Sequence, residues 1–144
     1  MNADARLTVD ASVVVKWFVE EDGSGDARRL ILGQRQDFVA PDLLLLEIAN
    51  AFLKKVRRGE ISRAAVETAV NAVPAFVRLL PSMRLFDEAL ELAFRHQCAI
   101  YDSVYVALAL GQGCQFITAD ERLYNGLRPH FGETMLWLGD LPPA

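Results

Sequence analysis

The sequence predicts an α/β fold in which helices cover both faces of a central parallel sheet. Short apolar segments suited to buried strands alternate along the chain with amphipathic helical segments. Such alternation favours parallel strands joined by right-handed crossovers, because the helix between two strands must pack back onto the sheet. A length of 144 residues fits one hydrophobic core, so we expect residues 1–144 to form a single domain.

Apolar periodicity and flanking turn residues locate the individual elements. Four strands are predicted, at 7–9, 37–40, 115–118 and 135–138. Helices are predicted at 12–19, 26–32 (ending near Gly33), 42–58, 62–79, 86–97, 103–110 and 123–127. Asp42 and Ser62 are the expected N-caps of two of them. Pro74 is expected to kink or split the helix at 62–79.

The helix predicted at 62–79 has an unusually wide apolar face. Its polar residues form one narrow stripe, and the apolar ones cover the rest of its circumference: Val66, Ala69, Val70, Val73, Phe76, Val77 and Leu80. An arc this wide indicates a second packed surface. Either a dimer interface or burial between neighbouring elements of the same chain would explain it, and the sequence favours neither.

Composition narrows the class of protein. Hydrophobic residues make up 52% of the chain and charged residues 24%, which is typical of a globular and not a disordered protein. No apolar segment approaches the roughly 20 residues of a membrane-spanning helix, and the first residues lack the apolar core of a signal peptide. We therefore expect a cytoplasmic protein. Cys98 and Cys114 have neither disulfide-framework nor zinc-site spacing and are expected to pack as small apolar residues.

Four carboxylates stand beside apolar segments. Asp10 and Asp120 follow predicted strands, Glu47 interrupts an apolar helix, and Asp102 lies at the start of another helix. Burying an unpaired charge is expensive, and no equal number of basic residues stands next to these acids. The carboxyl ends of parallel strands meet at one edge of the sheet, where distant acids can converge. One or two hard divalent cations would satisfy all four.

A cluster of this kind suits phosphodiester hydrolysis. Mg²⁺ or Mn²⁺ held by carboxylates activates an attacking water and stabilises the leaving oxygen. Taken singly, each acid also has a structural interpretation, as a helix cap, a turn residue or part of a solvated helix face. The functional signal is therefore joint and depends on the fold bringing the four together.

Neighbouring residues fit a supporting role. Ser12 and Thr118 lie two residues from an acid, where a hydroxyl can hydrogen-bond a carboxylate or a metal-bound water. Asn50, Lys54 and Arg57 continue the helical face of Glu47 from acid to base, as a groove would that holds a metal at one end and trailing phosphates at the other. For Lys54 and Arg57, solvated positions favoured by the helix dipole are an equally good explanation.

Other residues carry weaker signals. His96 and His130 have no spaced partner and are poor ligand or base candidates, and Tyr105 is expected to pack. The formal net charge of −4 argues against a nucleic-acid partner, yet the four carboxylates account for the whole excess of acid. The local distribution of charge must therefore decide the partner.

The segments that contain the four acids resemble the PIN-domain nucleases, above all the VapC-type toxins of bacterial and archaeal toxin–antitoxin pairs. The segments are DASVVVKW at 10–17, EIAN at 47–50, YDSVYVALA at 101–109 and TADERL at 118–123. No single motif is decisive, but four in this order and spacing are specific. The resemblance spans residues 7–138, nearly the whole chain.

The resemblance implies a three-layer α/β/α fold and an endoribonuclease that depends on Mg²⁺ or Mn²⁺ and acts on structured RNA such as tRNA or rRNA. It implies a homodimer, and a small cognate antitoxin that fills the acidic groove. The family's acidic positions fall on Asp10, Glu47, Asp102 and Asp120, and its supporting positions on Ser12, Asn50 and Thr118.

Three rival interpretations expect other residues or other behaviour. A phosphoacceptor receiver domain expects an acidic pair at the first strand and a Lys after the last, whereas this chain has only Asp10 and then Gly139-Asp140. A haloacid-dehalogenase-type phosphatase expects an Asp where Ser12 stands. A non-catalytic RNA-binding or scaffold module is the remaining alternative. It predicts RNA binding that survives chelation and neutral substitution of Asp10 or Asp102.

Overall fold

The computed structural model describes residues 6–32 and 37–142. Five strands form one sheet: β1 (Arg6–Val9), β2 (Asp37–Pro41), β3 (Val77–Leu80), β4 (Gln115–Thr118) and β5 (Met135–Trp137). Their order is β3-β2-β1-β4-β5, and every neighbouring pair is parallel. The prediction of a central parallel sheet is confirmed.

Seven α-helices connect the strands within the described part of the chain: α1 (Ala11–Phe18), α2 (Ser24–Leu32), α3 (Leu43–Arg57), α4 (Arg63–Phe76), α5 (Phe86–His96), α6 (Ile100–Gln112) and α7 (Glu121–Phe131). The chain moves outward from β1 through β2 to β3, then returns past β1 to β4 and β5. Because crossovers between parallel strands are right-handed, this strand order places α1–α4 on one face and α5–α7 on the other. The predicted α/β/α layering is therefore confirmed.

One predicted helix ends early, and its last residues form a strand that the sequence did not predict. α4 ends at Phe76, just past Pro74, and Val77 adopts an extended backbone with φ −127° and ψ 126°. β3 then pairs with β2 from Phe38↔Val77 to Pro41↔Leu80. Helical periodicity over 62–79 was misleading here, because pairing with a distant strand stabilised the extended form of 77–80.

The new boundary also explains part of the wide apolar arc. Val73 and Val77 are fully buried in this chain's own core, whereas Phe76 remains 47% exposed. Burial between elements of one chain therefore accounts for some of the arc. Whether a second copy covers the remainder stays a prediction.

Several other boundaries differ from expectation. Asp42 is not a side-chain cap of α3: its carboxylate accepts hydrogen bonds from the Ser82 amide at 3.0 Å and hydroxyl at 2.6 Å. α6 begins three residues before the predicted start, so Asp102 lies inside its first turn and Ala99 is the N-cap. α2 begins at Ser24, and α7 is longer than predicted at both ends. The predicted helix end near Gly33 lies outside the described residues.

The core lies against the sheet and positions the ends of its central strands. Val9 and Ile117 are fully buried at the carboxyl ends of β1 and β4, and Val13 and Val14 cover them from α1. Cys98 and Cys114 are free thiols that pack partly buried against the core, as predicted. Across the residues described, no helix has both the length and the apolar character needed to cross a membrane.

Candidate active site

Asp10 is the most enclosed of the four acids. Asp10 directly follows β1, caps α1 and is 6% exposed. The Ser12 hydroxyl donates to Oδ1 at 2.5 Å, the Val13 amide donates to the same oxygen at 3.3 Å, and the Thr118 hydroxyl donates to Oδ2 at 2.6 Å. Both oxygens are therefore held in place, by donors from the first turn of α1 and from the end of β4.

The two hydroxyls link the first turn of α1 to the end of β4. Their oxygens lie 3.2 Å apart, and each accepts a backbone N–H, Ser12 from Ala119 at 2.9 Å and Thr118 from Asp120 at 3.1 Å. A hydroxyl has one proton to donate. Because each hydroxyl already accepts an amide proton, its own proton is free for the carboxylate of Asp10.

Glu47 has a partner that the sequence analysis missed. The Tyr105 hydroxyl donates to Glu47 Oε1 at 2.5 Å. Tyr105 was expected only to pack, and it does stack on Phe116 with ring centroids 5.3 Å apart. It follows Asp102 by three residues on α6 and therefore shares its helical face, which is the signal that could have identified it.

Asp102 and Asp120 complete the group. Asp102 lies in the first turn of α6, half-buried, and Asp120 caps α7 by accepting the Leu123 amide at 3.1 Å. Asp120 follows β4, the strand beside β1, so it stands at the same sheet edge as Asp10. The alternative that Asp102 merely caps a helix is wrong, since the residue is already helical.

Charge repulsion links the four acids to one another. Burial raises the pKa of Asp10 to about 6 against its hydrogen bonds, and Glu47 adds to the effect. Burial raises the pKa of Glu47 against the Tyr105 hydrogen bond, and Asp102 raises it further. Burial and then Asp120 raise the pKa of Asp102. The repulsion thus acts between Asp120 and Asp102, between Asp102 and Glu47, and between Glu47 and Asp10. No described Lys or Arg lies within 4.0 Å of any of the four.

The donor set fits a hard divalent cation. It consists of carboxylate oxygens with hydroxyl and phenol support and contains no thiolate or imidazole, which suits Mg²⁺ or Mn²⁺ over softer metals. Among the described residues, no three acidic, His or Cys side chains already form a ready-made metal group. An ion that keeps several of its waters could link acids that do not converge on one point.

Three predicted residues lie along α3 without reaching the acids. Asn50, Lys54 and Arg57 are exposed on the helical face that carries Glu47. In the part of the chain that is described, Asn50 makes no side-chain hydrogen bond and the two basic side chains make no ion pair. The expected progression from acid to base along this face is present in the structure.

Two lysines near the site belong to a separate network. Lys16, which follows Asp10 closely in sequence, donates to Glu21 at 3.2 Å and to the Asp22 carbonyl at 2.6 Å. Lys55 donates to the other oxygen of Glu21 at 2.9 Å. The network joins α3 to the loop after α1, so neither lysine neutralises the acids.

A cavity of about 340 Å³ opens beside Asp102 and Asp120. The sequence did not predict the other residues that line this cavity, which are His96, Gln97, Cys98, Ala99, Arg122, Leu123, Gly126, Leu127 and His130. The ring centroids of His96 and His130 lie 5.0 Å apart, although the two residues lie on different helices. No sequence spacing could have indicated this pair, because α5 and α7 meet only in the folded protein.

Comparison with known proteins decides the family. A model of the PIN domain matches residues 7–126, a span that includes all four acids. The chain belongs to the PIN-domain family. Its curated relatives include Ribonuclease VapC3 of Pyrobaculum aerophilum, 31% identical over 121 residues that cover 82% of this chain and 92% of the relative. Ribonuclease VapC1 of Mycobacterium tuberculosis is 33% identical over 122 residues, covering 82% and 88%.

Solved structures show the same fold as this PIN domain. The crystal structure of PAE2754 from Pyrobaculum aerophilum aligns with a TM-score of 0.67 at 20% identity, covering 94% of this chain and 90% of that one. Mycobacterium tuberculosis VapC20, described as a sarcin-ricin loop cleaving toxin, aligns with a TM-score of 0.65 at 24% identity, covering 83% and 93%. The predicted resemblance to VapC-type PIN domains is confirmed.

Proposed function

We propose that this protein is a divalent-metal-dependent endoribonuclease and the toxin of a VapBC-type toxin–antitoxin pair. The observation that carries the proposal is the grouping of four acids. Burial and then a neighbouring acid raise the pKa of Asp10, Glu47 and Asp102, and among the described residues no Lys or Arg lies within 4.0 Å of the four. Such a site is unfavourable in an empty protein and favourable once a cation is bound. Relatives named as ribonucleases over most of this chain support the reaction class.

In this proposal Asp10, Glu47, Asp102 and Asp120 would hold one or two ions. Bound Mg²⁺ or Mn²⁺ supplies a nucleophilic water and stabilises negative charge on the phosphate oxygens. The protein's part is orientation. Ser12 and Thr118 fix the Asp10 carboxylate, while Asn50, nearby on α3, would support the site through water.

Tyr105 gives Glu47 a fixed orientation. Its hydroxyl occupies Oε1 and leaves Oε2 without a described hydrogen-bond partner. The phenol itself is buried between the sheet and α6 and stacked on Phe116, so it has little freedom to rotate. The hydrogen bond from Tyr105 therefore limits the rotation of the Glu47 carboxylate.

The substrate proposed is a structured RNA such as a tRNA or rRNA. One structural neighbour is described as cleaving the sarcin-ricin loop, which supports this class. Lys54 and Arg57 are proposed to contact RNA phosphates that trail away from the acids along α3. The formal charge of the protein is −4, so RNA affinity must come from local basic groups and bound cations.

The proposed protein partners are a second copy of the chain and a small cognate antitoxin. Large apolar side chains are exposed on several described helices, among them Leu46 at 72% and Phe94 at 77%. Contiguous exposed apolar surface is typical of protein interfaces, and we propose that these side chains contribute to one. A basic antitoxin side chain would also neutralise the acidic group.

The test is RNA cleavage by the purified protein, freed of any co-purifying partner. Total cellular RNA is incubated with Mg²⁺, with Mn²⁺ or with EDTA, beside Asp102→Asn. Glu91→Gln is the matched control, because it neutralises an exposed carboxylate that pairs with Arg95 on α5, away from the four acids. We expect discrete fragments that require metal and Asp102 and are unaffected by Glu91→Gln.

The fragment ends would identify the RNA and the cleavage site. RNA binding that persists in EDTA and in Asp102→Asn, with no cleavage under any condition, would favour the non-catalytic RNA-binding module instead. Wild-type turnover by Asp102→Asn would contradict the assignment of the site.

A further inference from the structure

We propose that the cavity beside Asp102 and Asp120 binds one unpaired nucleotide of the RNA adjacent to the scissile phosphate. In this subsite Arg122 contacts the phosphate, and the exposed ring of His130, which packs against His96, stacks with the base. The inference rests on the proposed function, since it names how the same site selects its substrate. Three independent features of the cavity carry it.

The first feature is a cation without a partner. Arg122 lines the same cavity as Asp102 and Asp120, yet its guanidinium lies more than 4.0 Å from every carboxylate among the described residues. The Arg122 side chain is exposed on the first turn of α7. A guanidinium free of protein carboxylates can bind a phosphate with two parallel hydrogen bonds. Arg122 would therefore offset the repulsion between the RNA phosphates and the acids where the RNA enters the cavity.

The second feature is a group of aromatic rings at the cavity wall. The centroids of His96 and His130 lie 5.0 Å apart, and His96 meets Phe131 edge-on at 4.8 Å. His130 is exposed near the end of α7, so its ring is available for contact with a ligand. Unpaired RNA bases stack on aromatic and His rings, and this contact tolerates different bases.

The third feature is the glycine that leaves the cavity open. Gly126 lies inside α7 and lines the cavity, and a Cβ built there meets no heavy atom within 4 Å. Glycine is unfavourable in a helix interior compared with alanine, so its place here is not explained by helix stability. The cavity measures about 340 Å³, within the size range of about 300–1,000 Å³ of ligand pockets.

The test fills the cavity and measures RNA binding. The probe is a short single-stranded oligoribonucleotide, titrated in Mg²⁺ against the Asp10→Asn variant so that the probe is not cleaved. Gly126→Leu is added to place a side chain in the cavity. Gly111→Leu is the matched control, since Gly111 is also an exposed helical glycine with no atom within 4 Å of an added Cβ, and it lies outside the cavity wall.

We expect Gly126→Leu to raise the Kd at least about fivefold, the lower end for the loss of one stacked base. Gly111→Leu should leave the Kd unchanged. Arg122→Gln, a substitution of an exposed side chain, should raise the Kd and reduce its dependence on salt concentration. His130→Ala should weaken binding, whereas His130→Phe should preserve it because the ring is retained.

Melting curves of each variant establish that it is folded. An unchanged Kd in folded Gly126→Leu, or in both Arg122→Gln and His130→Ala, would overturn the subsite, and so would the absence of oligonucleotide binding to the parent. The nuclease proposal fails separately. If the wild-type protein does not cleave RNA but Gly126→Leu still weakens binding, the subsite stands without the catalysis. If wild-type and Gly126→Leu proteins cleave the same RNA with equal KM and identical ends, only the subsite falls.

Discussion

Replacing Asp10 with Asn is expected to stabilise the metal-free protein at neutral pH. Burial raises the pKa of this carboxyl from 3.8 to about 6 in the folded protein. At about 1.4 kcal/mol for each tenfold change in proton affinity, the folded state carries a penalty of about 3 kcal/mol once the carboxyl is ionised. A neutral amide of the same shape removes that penalty.

The sign of the pH dependence follows from proton binding. Between about pH 4 and pH 6 the folded protein holds the Asp10 proton more tightly than the unfolded chain does, so the free energy of unfolding falls as pH rises. The gain in Asp10→Asn should therefore be near zero at pH 4 and complete above about pH 7. We expect about 1 to 3 kcal/mol, because the amide nitrogen must reverse the hydrogen bond with Thr118.

The assay is urea unfolding in EDTA at several pH values, followed by the fluorescence of Trp17 and Trp137. Asp42→Asn is the control of opposite sign. Hydrogen bonds from Ser82 lower the pKa of Asp42, so its neutralisation should cost stability at neutral pH. The reasoning is refuted if Asp10→Asn is no more stable than wild type at pH 8 in EDTA, or if its gain does not change with pH.

Three further outcomes are expected. Tyr105→Phe should weaken Mn²⁺ binding measured by calorimetry while leaving the fold intact, because it removes only the hydroxyl that orients Glu47; an unchanged affinity would contradict that role. Glu21→Gln should lower the free energy of unfolding by about 1 kcal/mol at pH 7 by weakening contacts with Lys16 and Lys55. Burial raises the pKa of Glu21, but hydrogen bonds and charge from the two lysines outweigh it, so the pKa is lowered. The loss of stability in Glu21→Gln should therefore fade as pH falls below 4.5. A loss that does not change with pH would refute the ion-pair explanation. Mg²⁺ should raise the melting temperature at fixed ionic strength, and a melting temperature indifferent to metal would contradict a shared cation site.

Local patterns predicted those parts of the fold that depend on local physics. β4 was predicted with its observed bounds, and β1 and β2 within one residue at an end, because short apolar segments flanked by polar residues have few alternatives to a buried strand. The position of Asp10 and Asp120 at strand ends followed directly, since parallel strands present those ends at one edge. Ser12 and Thr118 were located by their spacing from the same acids, and the structure places both in contact with Asp10.

The sequence by itself thus determined the α/β class, the family and the four acids that the site proposal uses. Only the tertiary structure decided which distant groups meet. β3 exists because residues 77–80 pair with β2, Tyr105 reaches Glu47 because α6 packs across the sheet, and His96 meets His130 because α5 and α7 lie on the same face. Periodicity and capping report interactions within a few residues, whereas these contacts join segments whose approach depends on the packing of the whole core.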